Sequence, residues 1–227
     1  MAYPMTHLLI AKNLAEKQVF HITNMPQYYL GAMAPDAVWF SEVNDKKKSH
    51  LITSDETWGA VDDNEGWLKN VQEFFAKNYN KGDNDFLCGY CTHILTDMNS
   101  NIKSWTPFRL RYKDKTIEEI IKISHEQGNH KTGNIIDQAL FHKNSLGDQF
   151  FENLQNSKTM NFMDMQNLTT LVTAEEMEKM KNNILNVQYN TSYVDSGNYD
   201  IVSYNKNLDF INDSSEFIAE EVGRWKR

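Results

Sequence analysis

The chain has 227 residues, of which 40% are apolar and 24% charged, proportions of an ordinary globular protein large enough to enclose a substantial core. Its 23 Lys+Arg against 31 Asp+Glu give a formal net charge of -8, which argues against a stable complex with a phosphate backbone, since such complexes are built on clustered cations. Bulk charge does not fix the sign of a buried pocket, because one bound cation reverses the local field.

The hydrophobic periodicity is helical almost throughout. Thr6 is placed to cap a first helix carrying Leu8, Leu9, Ala11, Leu14 and Ala15, and Pro26 suits the first turn of a short helix through Tyr28, Tyr29 and Leu30. The chain is expected to leave the helix over Gly31 to Asp36, because Pro35 disfavours helical geometry at Ala34. A polar loop, Ser41 to Ser49, carries Lys46, Lys47 and Lys48. An amphipathic helix follows from about Gly66 to Tyr79, and Asn80 to Asn84 reads as a turn.

The most apolar stretch, Asp85 to Ile102, predicts a helix buried on most of its circumference. Ile117 to Ser124 and Ile135 to Phe141 are helical, with the polar Glu126 to Gly133 as a loop or kink between them. Thr173-Ala-Glu-Glu176 is a capping box opening a helix through Val187, and Ser214 or Ser215 is expected to start the last one. Gln188 to Val202 offers a short hairpin, and residues 145 to 170 are the least legible. With no repeat or composition break, the reading is one all-α helical-bundle domain over 1–227, its chemistry within 1–140 and the helices of 173–226 packed upon it.

No run reaches the roughly 18 apolar residues of a membrane span, and no basic segment precedes the short apolar run at Leu8. Cys88 and Cys91 lie too close together to staple distant segments, so a reducing cytoplasm is expected; a secreted location would require a leader removed from the sequence given. Cys88-x-x-Cys91-x-His93 lacks the second pair that a structural zinc site needs, and the two cysteines read as small buried hydrophobes.

Four residues are uncommon choices for their settings. His93 and Asp97 lie four apart on the most apolar helix and project from one face, which is metal-ligand spacing. Taken alone, the pair is slightly better explained by Asp97 accepting a hydrogen bond or capping a neighbour. Asp36 follows a proline that fixes its backbone, and His50 lies fourteen residues further on. His7, near the first cap, is by itself an ordinary histidine. Lys46 to Lys48 reads first as a solvated loop and second as a device steering anions towards His50. Trp39 and Phe40 are candidates for a pocket mouth, while Met160, Met163, Met165, Met177 and Met180 read as core filler rather than a lipid-contact surface. His21, His125 and His142 have no partner spacing.

Together, His7, Gly31-Ala-Met-Ala-Pro-Asp36, Ser49-His50 and Gly89-Tyr-Cys-Thr-His93-Ile-Leu-Thr-Asp97 resemble the ordered motifs of the bacterial zinc-dependent phospholipase C family, which is similar in fold to the zinc nucleases of single strands. The resemblance implies an all-α fold and a metal site of Asp36, His50, His93 and Asp97. It also implies that Asp97 bridges to a second ion held by His7 and the amino terminus of the mature enzyme. A third zinc of the family requires a histidine six residues beyond the aspartate and a later His-x-x-x-Glu pair; here stand Lys103, His130 and Asn134, so that site is read as lost. Lys103 is left as a substitute positive charge, facing a substrate phosphate or Asp137, or as a solvated lysine.

The resemblance implies hydrolysis of a phosphoester by activated water with one or two zinc ions, or another divalent metal, and with Asp36 as the usual base. The expected substrate is a small phosphoester or a phospholipid head group. The rival readings are a single-strand nuclease or nucleotidase, marked by an aromatic stacking cleft beside the metals, and a non-catalytic metal-binding or interaction protein.

Overall fold

A computed structural model of the protein describes residues 2–42, 45–52, 56–143, 147–189 and 201–225. Among the described residues the fold is all-α apart from one small hairpin, as the periodicity predicts. At its centre lies α5 (Asn84–Ser100), where every residue from Asp85 to Ser100 is buried. Around it lie α1 (Pro4–Glu16), α2 (Met25–Met33), a 3-10 turn (Ala34–Phe40), the short α3 (Lys46–Ser49) and α4 (Asn64–Asn78).

Beyond α5 the helix widens into a π-turn (Asn101–Trp105), continues through α6 (Thr106–Arg109) and a 3-10 turn (Leu110–Tyr112), then leads to α7 (Ile117–Glu126) and α8 (Asn129–Lys143). After α9 (Gly147–Asn156), β1 (Phe162–Asp164) pairs antiparallel with β2 (Thr169–Val172). Last come α10 (Ala174–Asn183), a π-turn (Ile184–Gln188) and α11 (Ile201–Trp225), which lies against α1 and α5. Among the described residues no helix is long and apolar enough to cross a membrane.

Several boundaries correct the sequence reading. Tyr3, not Thr6, precedes α1, because Pro4 supplies a preset φ and needs no N–H donor in the first turn. Thr6 is buried, with Oγ1 3.3 Å from Asn207 Oδ1 of α11. At Pro35 the chain does not leave the helix; it tightens, with Ala34 still helical at φ -58° and ψ -38°. A proline is tolerated in the first turn of the new segment, where Ala34 and Ala37 are buried.

The break between α7 and α8 shrinks to Gln127 and Gly128. Ser214 and Ser215 sit inside α11 because their hydroxyls are satisfied there: Asn99 Nδ2 donates to Ser214 at 2.8 Å, and Ser215 donates to the Ile211 carbonyl at 2.7 Å. The capping box at Thr173 and Glu176 is formed as expected. Most of the segment in which a hairpin was expected, residues 190–200, lies outside the described residues, and the hairpin found instead falls in the poorly legible region before α10.

Asp137 of α8 is fully buried and accepts the Met5 N–H at 2.8 Å, satisfying one of the orphan donors in the first turn of α1 from another helix. Tyr189 also donates to it. Burial raises the Asp137 carboxyl to about 7 from its usual 3.8, against the lowering effect of these donors. The native state therefore holds this proton to higher pH than the unfolded chain, so the contribution of Asp137 to stability falls as pH rises from its usual value towards neutrality. Asp137→Asn, which keeps an acceptor for Met5 but cannot ionise, should gain in melting temperature relative to the wild type as pH moves from mildly acidic to mildly alkaline. A difference between the two proteins that is constant with pH would contradict this assignment.

Candidate metal centre

Each candidate ligand is delivered by an element whose local structure fixes it. His7 comes from the second turn of α1, Asp36 from the 3-10 turn after Pro35, His50 from the end of α3, and His93 with Asp97 from one face of α5. The five side chains, spread over ninety residues of sequence, converge on one buried cluster.

The α2–α5 contact determines where His93 points. A Cβ on Gly31 would lie 2.1 Å from the Phe86 carbonyl oxygen, and one on Gly89 2.0 Å from the Tyr28 carbonyl oxygen and 2.7 Å from the Ala32 nitrogen. Only glycine at both positions allows the helices to approach so closely. That approach brings the Ala32 carbonyl within 2.7 Å of His93 Nδ1.

His50 is held similarly: its Nδ1 lies 3.0 Å from the Lys46 carbonyl and 2.9 Å from Ser49 Oγ, and Trp67 Nε1 donates to the His50 carbonyl at 2.7 Å. A carbonyl oxygen can only accept, so in both histidines the ring proton is assigned to Nδ1 and the lone pair of Nε2 faces the cluster.

Asp97 is the common partner. Its Oδ2 is 3.3 Å from His50 Nε2 and 3.9 Å from His93 Nε2, while Oδ1 is 3.6 Å from His7 Nε2 and accepts the Ala2 N–H at 3.3 Å. Asp36 places Oδ1 3.5 Å from His50 Nε2 and Oδ2 3.8 Å from His93 Nε2. The His7 ring stacks on that of His93 with centroids 3.7 Å apart.

Despite this crowding, His50 Nε2, His93 Nε2, Asp97 Oδ2 and both ring nitrogens of His7 are buried without a hydrogen-bond partner. Orphaned atoms of this kind, convergent and all of metal-ligating type, are the expected signature of a cation site, since leaving them unsatisfied is costly. Two sets, His7 with Asp36 and His93, and His50 with His93 and Asp97, each bring ligand atoms close enough to hold one ion. Two imidazoles and two carboxylates suit zinc or a similar divalent ion.

The electrostatics agree. Burial lowers His7 to about 3, reinforced by the adjacent His93, and burial with the neighbouring Lys46 charge lowers His50 to about 4. Burial pushes the carboxyls of Asp36 and Asp97 up, but nearby cationic and imidazole groups, Lys46 foremost for Asp36 and His50 foremost for Asp97, outweigh it and hold both below the usual range. At neutral pH His7 and His50 are therefore neutral and both carboxylates charged, the protonation state that ligation requires.

The sequence reading of Lys46 needs correction. Its ammonium is not solvated but lies 2.6 Å from Asp36 Oδ1, over the rings of Trp58 and Trp39 at 4.3 and 5.0 Å. Only tertiary structure brings these groups together; the triple-lysine run signals charge and nothing about its target. Lys103 stands elsewhere, at the surface 3.3 Å from Asp213 of α11, so it is not the substitute charge at the cluster nor a partner of Asp137. Asn134 is exposed on α8, and the side chain of His130 lies outside the described positions. Cys88 and Cys91 are buried and not joined in a disulfide, as expected.

Asp36, one-fifth exposed, faces an open cleft of about 630 Å³. Trp39, Phe40, Trp58, Trp67, Trp105 and Tyr3 line it, which bears out the placement of Trp39 and Phe40 at a pocket mouth.

Residues 6–100, under half of the chain, match the family described as zinc dependent phospholipase C, and the match spans all five candidate ligands. This is the family that the ordered motifs resemble. No curated protein and no solved structure matches the chain.

Gly89→Ala tests the packing beneath the site. The added methyl must push α5 from α2 and draw the Ala32 carbonyl off His93, so the variant should lose about 3 kcal/mol of stability in denaturant unfolding. A variant as stable as the wild type would show that the helices are not in contact at this point.

Proposed function

We propose that the protein is a metal-dependent phosphoric ester hydrolase of the zinc-dependent phospholipase C type, acting on a phosphodiester with one or two zinc ions held by His7, Asp36, His50, His93 and Asp97. The observation that carries this reading is the set of orphaned buried atoms, the Nε2 of His7, His50 and His93 and the Oδ2 of Asp97, packed against Asp36 and Asp97, two carboxylates that line an open cleft. When bound there, zinc or a similar ion supplies Lewis acidity, lowering the pKa of water and drawing negative charge from the phosphoryl oxygens.

The chain's own groups then divide the remaining work. His50 and His93, with Nδ1 tied to carbonyls, present fixed lone pairs. Asp97 is enclosed and serves as a ligand that joins the two halves of the cluster. Asp36 reaches the cleft, where its carboxylate can orient an attacking water. Because Lys46 and the imidazoles keep it well below the usual carboxylate range, Asp36 is a weak base, and orienting the water is its larger contribution. The Lys46 ammonium, beside Asp36 and on the cleft wall, is placed to pair with a phosphoryl oxygen.

The aromatic cleft favours a second reading, a nuclease or nucleotidase that stacks a base beside the phosphate. Against it, Lys46 already lies over the rings of Trp39 and Trp58, which reduces the aromatic surface open to a base.

The test combines elemental analysis of the purified protein with hydrolysis of bis-p-nitrophenyl phosphate, phosphatidylcholine and single-stranded DNA, with and without chelator. Zinc should co-purify, chelator should abolish turnover, and His93→Ala or Asp97→Ala should remove metal and activity together. Lys46→Met should retain metal while turnover falls about 100-fold, the scale of one lost electrostatic contact to the transition state. Full metal content in either ligand variant would refute the site, tight metal without turnover would favour a binding protein, and turnover on DNA alone would favour the nuclease reading.

A further inference from the structure

Residues 101–115, Asn-Ile-Lys-Ser-Trp-Thr-Pro-Phe-Arg-Leu-Arg-Tyr-Lys-Asp-Lys, contain five cations and one anion in a chain whose net charge is -8. They also form the most irregular helical stretch of the fold, a π-turn, one α-turn and a 3-10 turn in succession. This segment has no part in the proposed chemistry, apart from Trp105 and Asn101 in the cleft wall.

Two of its cations are partnered at the surface, Lys103 with Asp213 and Arg109 with Asp62. Among the described residues, Arg111, Lys113 and Lys115 are exposed and have no ion-pair partner. Asp114, Glu118 and Glu119 are the anions adjacent in sequence, and the Glu119 carboxylate is engaged by the Thr116 N–H in a capping box.

Leu110, 61% exposed, lies between these cations, and Ile102 is also exposed. Arg109, Lys113 and Lys115 converge with Leu110 on a second pocket of about 220 Å³, floored by Ala60, Ile117 and Ile120. A pocket with an apolar floor and three cations at its lip suits a phosphate that carries an apolar tail.

The two cavities share a wall. Gly59 and Ile121 line the cleft above the metal cluster, while Ala60, Ile117 and Ile120 line the second pocket. Trp105 links the rim to that wall through its Nε1–H, which donates to the Gly59 carbonyl at 2.7 Å. Trp39, at 63% exposure, is a further large apolar side chain lining the cleft.

We infer that the Ile102–Lys115 rim is a docking surface for an anionic lipid bilayer, with Leu110 entering the headgroup layer and Arg111, Lys113 and Lys115 on lipid phosphates. Charge complementarity selects this occupant: an acidic protein is repelled by an anionic membrane everywhere except where cations are concentrated. Exposed apolar tips interleaved with those cations are the composition of interfacial binding. A nucleic acid would use the cations but leave Leu110 and Ile102 without a role.

The inference is independent of hydrolysis, and so is its test. Co-sedimentation of the full chain with phosphatidylcholine vesicles, with and without phosphatidylserine, is measured in the presence of chelator, so that no turnover is involved. Binding should require phosphatidylserine and be reversed by added salt. The triple variant Arg111→Gln, Lys113→Gln, Lys115→Gln should bind on the order of 100-fold more weakly. Leu110→Ser should weaken binding with little change in its salt dependence, and both variants should melt like the wild type and keep any turnover of bis-p-nitrophenyl phosphate. Failure of the wild type to sediment, equal binding by the triple variant, or tighter binding to single-stranded DNA than to the vesicles would overturn the docking surface without touching the metal site.

Discussion

An ionised Asp97 at 2% side-chain exposure, with one oxygen lacking any hydrogen-bond partner, is the constraint around which this molecule is arranged. Burying a carboxylate costs several kcal/mol unless opposing charge or donors compensate it. Here the facing groups are three imidazoles, of which His7 and His50 are held neutral by burial, and the Nδ1 atoms of His50 and His93 are turned to backbone carbonyls. Such an arrangement supplies electron pairs where compensation requires positive charge. A divalent cation would resolve the conflict, and Lys46 beside Asp36 contributes only part of that charge.

The rest of the fold can be understood as what holds this conflict in place. Gly31 and Gly89 let α2 and α5 touch, which fixes His93 through Ala32. Trp67 and Tyr90 donate to the carbonyls of His50 and Ser49 and fix the end of α3. Asp137 anchors the first turn of α1, two residues before His7, from the distant α8. His50 and His93 are thus each oriented by a second group, the kind of arrangement that metal affinity depends on, and His7 rides on an anchored helix start.

The sequence made much of the fold and of the candidate cluster legible, for identifiable reasons. The amphipathic and buried helices α4 and α5 carry strong periodicity, and the spacing from His93 to Asp97 is a local property of one helix face. Misread features depend on contacts between distant segments. Thr6, Ser214 and Ser215 looked like caps because their hydroxyls favour helix starts, but Asn207, Asn99 and the Ile211 carbonyl satisfy them inside helices. Lys46 gave a charge without a target, and Lys103 occupied the right place in the motif order but the wrong place in space. The cationic rim escaped notice because its irregular turns have no single period, so its exposed side chains share a face only once folded.

The central claim is that His50, His93, Asp36 and Asp97 form one cation site with His7 alongside. A crystal structure of the protein grown with zinc, with anomalous scattering recorded on either side of the zinc absorption edge, tests it directly. The account predicts an anomalous peak enclosed by His50 Nε2, His93 Nε2 and the carboxylates of Asp36 and Asp97. A zinc-supplemented crystal with no peak there, or with zinc bound only elsewhere, would contradict it.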